Sequence, residues 1–103
     1  MPSETFELFS QAVEGRKQIV CTYQGRRREI CPHVVGWKEG REQALSFQFA
    51  GQSSKGLPPG GEWRCLILSQ VRDVEIRDGD WHTGHGHLRP QTCVNHIFAE
   101  VTY

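Results

Sequence analysis

Along the first fifteen residues the apolar positions recur every three or four places. Phe6, Phe9 and Val13 stand at i, i+3 and i+7, with Leu8 and Ala12 beside them, which predicts a short amphipathic helix over 3–14. Ser3 can cap it, Gly15 would end it, and Arg16 and Lys17 suit the C-terminal end of its dipole. A helix of about three turns is unstable alone, so it must pack on something.

From Gln18 the period changes to two. "QIVCTYQGRRREICPHVVGW" reads as a hairpin with Ile19, Cys21 and Tyr23 on one face and Gln24-Gly25 at the turn. "WKEGREQALSFQFAG" reads as a second, turning at Lys38-Glu39-Gly40. In its returning arm Leu45, Phe47 and Phe49 alternate with Ala44, Ser46 and Gln48, and the apolar set is expected inside. After a loop, "EWRCLILS" and "VRDVEI" read as further short strands before the turn "RDGD". The tail "WHTGHGHLRPQT" is a glycine- and histidine-rich loop, and "CVNHIFAEV" reads as a final strand with Val94 and Ile97 or Phe98 inward. Several short strands separated by turns indicate a small barrel or sandwich. The expected core is Phe6, Phe9, Ile19, Tyr23, Ile30, Val34, Leu45, Phe47, Leu66, Leu68, Val74 and Ile76.

The length of 103 residues suits one domain (1–103), with a helix over 3–14, a barrel over 17–77 and a C-terminal loop and strand over 78–103. Twelve Lys and Arg balance twelve Asp and Glu, so no overall field draws the protein to nucleic acid or membrane, and an anion site must come from local charge. "PSETFELF" lacks the basic and apolar regions of a signal peptide, and no run approaches the roughly 20 apolar residues of a membrane span. A cytoplasmic, bacterial-type protein is expected. Cys21, Cys31, Cys65 and Cys93 are widely spaced with no C-x-x-C, and free thiols acting as small hydrophobes are expected.

The loop "SSKGLPPGGEWRC" raises the first question of chemistry. Gly51 and Gly56 have the spacing of a phosphate loop, yet Leu57-Pro58 follows where Lys and Ser/Thr would open a helix. Pro58 and Pro59 also remove two amide donors. The loop is therefore read first as a stiffened connector. In a binding role, Lys55 would supply charge, Ser53 and Ser54 donors, and Trp63 a flat apolar wall. Alternation sets Arg27 opposite Arg26 and Arg28, and a solvated strand edge is the favoured reading of that run. Arg64, mid-strand between Trp63 and Leu66, needs a partner: a carboxylate such as Glu29 or Asp73, or an anionic ligand.

Four of His82, His85, His87, Cys93 and His96 could in principle close a tetrahedral zinc site, but their spacing lacks the tight pairing of structural zinc sites. No metal or cofactor is expected. Cys31-Pro32-His33 puts a thiol two residues from an imidazole with no third group, and a core cysteine is the favoured reading. No catalytic motif appears, so no enzyme is expected.

The order of Tyr23, Arg28, Pro32, Leu45, Arg64 and Val71 resembles the WYL domain over roughly Phe6 to Ile76. The family's Trp-Tyr-Leu falls on Gln43-Ala44-Leu45, which keeps only the leucine. The resemblance implies a mainly β fold, an SH3-like (Sm-like) five-stranded antiparallel barrel preceded by a helix, here with an extra C-terminal loop and strand. It also implies a basic pocket for nucleotides or nucleic acid, and the family's strand arginine matches Arg64. The resulting expectation is a non-catalytic module binding a small anionic or nucleotide-like ligand through Arg64, Arg28, Lys55, Trp63, Ser53 and Ser54. Nucleic acid stays open as a partner, membrane does not, and a homodimer through the last strand is possible. The alternatives are a structural or protein-interaction module and, third, a zinc-stabilised fold.

Overall fold

The computed structural model describes residues 3–51, 60–84 and 92–101. The fold is mainly β: a helix α1 (Glu4–Gly15), then β1 (Gln18–Tyr23), β2 (Arg26–Lys38), β3 (Arg41–Gly51), β4 (Glu62–Ile67), a one-turn 3-10 helix (Leu68–Gln70), β5 (Val71–Arg77) and β6 (His96–Glu100). Ser3 caps α1 by accepting from Phe6 N–H. The left-handed residue that stops the helix is Arg16 (φ 52°), where Gly15 was expected to end it. No helix among the described residues is long and apolar enough to cross a membrane.

The strands form one antiparallel sheet in the order β4-β3-β2-β1-β5, with β6 added to β2. β1–β2 and β2–β3 pair through tight turns. Gln24-Gly25 and Glu39-Gly40 take positive φ at both central residues, the geometry that matches the twist of flanking strands. The 3-10 turn swings the chain from β4 on one edge to β5 on the other, so the sheet curls into a small barrel-like shape without closing.

Residues alternating along the strands point into this curl: Ile19, Cys21 and Tyr23 from β1, Ile30 from β2, Ala44 from β3 and Leu66 from β4, capped by Phe6, Phe9, Ala12 and Val13 of α1. Leu45, Val74 and Ile76, expected in the core, are only partly buried. The expected polarity of β3 is reversed. Ala44, Ser46 and Gln48 are buried on the inner face, while Leu45, Phe47 and Phe49 point outward. The outer face is nevertheless buried, because the chain after β5 lies across it. His82 N–H donates to Cys31 Sγ, Gln43 Nε2 donates to the Cys93 carbonyl, and Val94 packs on Val34 and Leu45.

Cys65 and Cys93 are joined by a disulfide (Cα–Cα 5.6 Å), which corrects the expectation of four free thiols. The two sit far apart in sequence, and only the crossing of the tail over β4 brings them together. Cys21 and Cys31 are free and buried, Cys21 opposite Arg28 as the hairpin register requires. Val94 is buried, but on the outer face with Val34 and Leu45, and Ile97 and Phe98 are exposed, against the expectation that one would face the core.

Candidate functional site

The inner face changes character toward the β1–β2 turn. Below it lie Ile19, Ile30 and Leu66; above it come Arg28, Gln48 and Arg64. The pairings explain the convergence. Ser46 stands opposite Arg64 and Gln48 opposite Glu62, while Gln48 also faces Ile30, two residues beyond Arg28 on β2. Side chains of one parity on three neighbouring strands therefore meet at one end of the curl.

Arg28 is only 3% exposed. Its Nη1 donates to Gln48 Oε1 at 3.2 Å, its Nη2 to the Tyr23 carbonyl at 3.4 Å, and its guanidinium lies 5.4 Å from the Tyr23 ring centroid. Its Nε has no hydrogen-bond partner, and no carboxylate among the described residues pairs with it. Arg64 Nε donates to the same Gln48 Oε1 at 3.3 Å, and its Nη2 pairs with Glu62 at 2.9 Å. Two cations thus share one neutral carbonyl oxygen. Burial first, then the charges of Arg64 and Arg26, pull the Arg28 pKa below its usual range. An arginine still keeps its charge, so this end of the barrel holds a buried positive charge with no matching negative one among the described residues. The buried Ser46 hydroxyl, opposite Arg64 in the β3–β4 register, likewise has no hydrogen-bond partner among the described residues.

Two sequence readings change here. The solvated-edge reading of Arg26-Arg27-Arg28 fails at Arg28 alone: β1 pairs with all three, but β3 joins only from Arg28, which is buried, while Arg27 is exposed. Arg64 takes Glu62 as its carboxylate. Glu29 is held by Arg77 and Arg27, which keep its carboxyl below the usual range.

Of the predicted ligand contacts, Arg28 and Arg64 come together. Trp63, adjacent to Arg64 in an extended strand, points to the opposite face. Its ring meets Phe47 at 5.2 Å and His33 at 4.7 Å, and it lines a groove of about 500 Å³ with Gly61, Thr83 and Gly84. Ser53, Ser54 and Lys55 lie outside the described residues, as do His85 and His87. Gln48, which joins the two arginines, carried no sequence signal of its own, since an alternating glutamine reads as outward. The register opposite Glu62 and beside Arg64 was the available clue.

The histidines described are dispersed. His82 stacks on Phe49 at 4.1 Å, His33 hydrogen-bonds the Cys31 carbonyl and Thr83, and His96 is on β6. Cys93, a possible ligand by sequence, is consumed in the disulfide, and no cluster of three metal-ligating side chains occurs among the described residues. Burial pushes the Cys31 thiol up to about 11, which disfavours the thiolate a nucleophile requires. Comparison with protein-family models, with characterised proteins and with solved structures finds no match to this chain.

Proposed function

We propose that this protein is a non-catalytic binding module that takes a small anionic or nucleotide-like ligand at the Arg28–Gln48–Arg64 end of the barrel. One observation carries the reading: Arg28 is buried, charged and unmatched by any described carboxylate, with Nε unbonded. Burying an unpaired charge costs several kcal/mol, and an anion bridging Arg28 and Arg64 would offset that cost with charge-assisted bonds. The sequence resemblance to WYL domains, whose strand arginine corresponds to Arg64, supports the same location. The setting expected from the sequence was cytoplasmic, whereas the Cys65–Cys93 bond weighs toward an oxidising compartment.

Thermal unfolding of wild type and Arg28→Met, with phosphate, mononucleotides, cyclic dinucleotides and short oligonucleotides, tests this reading. One of these raises the wild-type midpoint in a concentration-dependent way by linkage. Arg28→Met, which replaces the unmatched charge by an apolar chain, is expected to unfold at higher temperature without ligand and to lose that response. A variant that keeps the full response would place the site elsewhere. The second reading, a protein-interaction module, is favoured by the exposed Ile97 and Phe98 on β6.

A further inference from the structure

The charge at the Arg28–Gln48–Arg64 end of the barrel sets a first requirement on what binds there. Arg28 and Arg64 each bring one positive charge, and Glu62, paired with Arg64 at 2.9 Å, brings one negative charge. Arg26 stands at the β1–β2 turn, partly exposed and bonded to the Gln24 carbonyl, so water and salt screen it. One positive charge is left over, and it resides on Arg28, with which no carboxylate among the described residues pairs. A ligand carrying a single negative charge balances it. A second negative charge would itself be buried without a partner, which desolvation penalises.

Depth sets the second requirement. Arg28 is 3% exposed, and its two Nη atoms are taken by the Gln48 side chain and the Tyr23 carbonyl, so the open edge of the guanidinium is the one that carries Nε. The Arg64 side chain keeps 25% of its surface and marks the side that meets solvent. Only the end of a molecule reaches from there to Arg28 Nε, because a group with chain on both sides cannot be drawn in that far. A phosphate monoester is terminal but carries about two charges at neutral pH. A phosphodiester carries one charge but is substituted on both sides. A carboxylate is terminal and singly charged, and its two coplanar oxygens match a guanidinium edge. We propose that this site selects a monocarboxylate, the end of a small organic acid or of a peptide chain, over phosphate-bearing ligands. The inference rests on the anion site proposed above and narrows its ligand.

Heteronuclear NMR of the isotope-labelled full chain, at about pH 7.5 and fixed ionic strength, reads the Arg28 Nε–H signal, which is assigned by its loss in Arg28→Lys. The probes are acetate, N-acetylglycine, its uncharged amide, dimethyl phosphate and methyl phosphate. Acetate and N-acetylglycine are expected to shift the signal saturably and the amide to leave it in place, while both phosphates bind about tenfold more weakly or worse. Equal affinity for the two carboxylates identifies a small organic acid; tighter N-acetylglycine identifies a peptide C-terminus. Glu62→Gln, at an exposed position, raises the leftover charge from one to two and should turn the preference toward methyl phosphate. A phosphate bound by wild type as tightly as acetate overturns the carboxylate assignment and leaves the anion site standing, and so does a Glu62→Gln variant with the wild-type preference. If no probe moves the Arg28 signal, the anion site itself falls.

Discussion

Gln48 Oε1 accepts from Arg28 and Arg64 together, so the two cations share one neutral oxygen, and only Arg64 also has a carboxylate, Glu62. The opposite polarity problem arises at the thiols. Cys21 and Cys31 are buried, and desolvation pushes each from an ordinary 9.0 up to about 11. An unfolded chain releases these protons near 9, whereas the folded protein holds them until near 11. Above 9 the unfolded state therefore binds fewer protons, and stability falls as pH rises. Each thiol loses at most about 2–3 kcal/mol over that window. Urea unfolding followed from about pH 8 to about pH 11 should show a steeper decline in wild type than in Cys31→Ala. Equal slopes would mean that the Cys31 thiol is solvated in the native state. The Arg64 neighbourhood was partly legible in the sequence, because a mid-strand arginine needs a partner. Which partner it takes depends on register, and Glu62 is two residues away on the same strand face.

Among the elements, β2 does the most. Its residues Ile30 to Gly36 are buried on both faces, since β1 and β3 flank its first half, β3 and β6 its second, and the tail covers its outer side. Gly36 shows how close β6 comes: a Cβ there would collide with the His96 carbonyl oxygen and approach the Val94 side chain. Gly36→Ala is expected to push β6 off β2 at a cost of about 1–3 kcal/mol. Faster amide exchange at residues 96–100, alongside a lower urea midpoint, would show it; unchanged exchange would mean that the strand shifts without detaching. The helix, both hairpin turns and the succession of strands up to β5 were readable because their signals are local: spacing in α1, and turn residues at Gln24-Gly25 and Glu39-Gly40. The inward face of β3 was not. Alternation separates Leu45, Phe47 and Phe49 from Ala44, Ser46 and Gln48, but it does not say which set meets the core when both faces are covered.

At the scale of the whole molecule the chain builds a curled sheet capped by α1 and then ties its own tail across the outside. The tail crossing could not be read from the sequence, because it rests on contacts between residues some fifty positions apart, such as Gln43 with Cys93 and Cys31 with His82. The Cys65–Cys93 bond fixes this crossing and closes a span of 28 residues. A covalent link of that span removes loop entropy from the unfolded chain equivalent to about 3–4 kcal/mol. The double variant Cys65→Ala/Cys93→Ala should lose stability of that order in equilibrium urea unfolding. The inner face does not depend on the link: Arg28, Gln48 and Arg64 are held by β2, β3 and β4 pairing. Any ligand response of the wild type should therefore persist in the variant under conditions where it is folded. Loss of stability with the response retained would separate the strapped outer layer from the binding end of the barrel. If the response vanished with the disulfide, the tail would be supporting the inner face through β4, and the two layers would have to be treated as one cooperative unit.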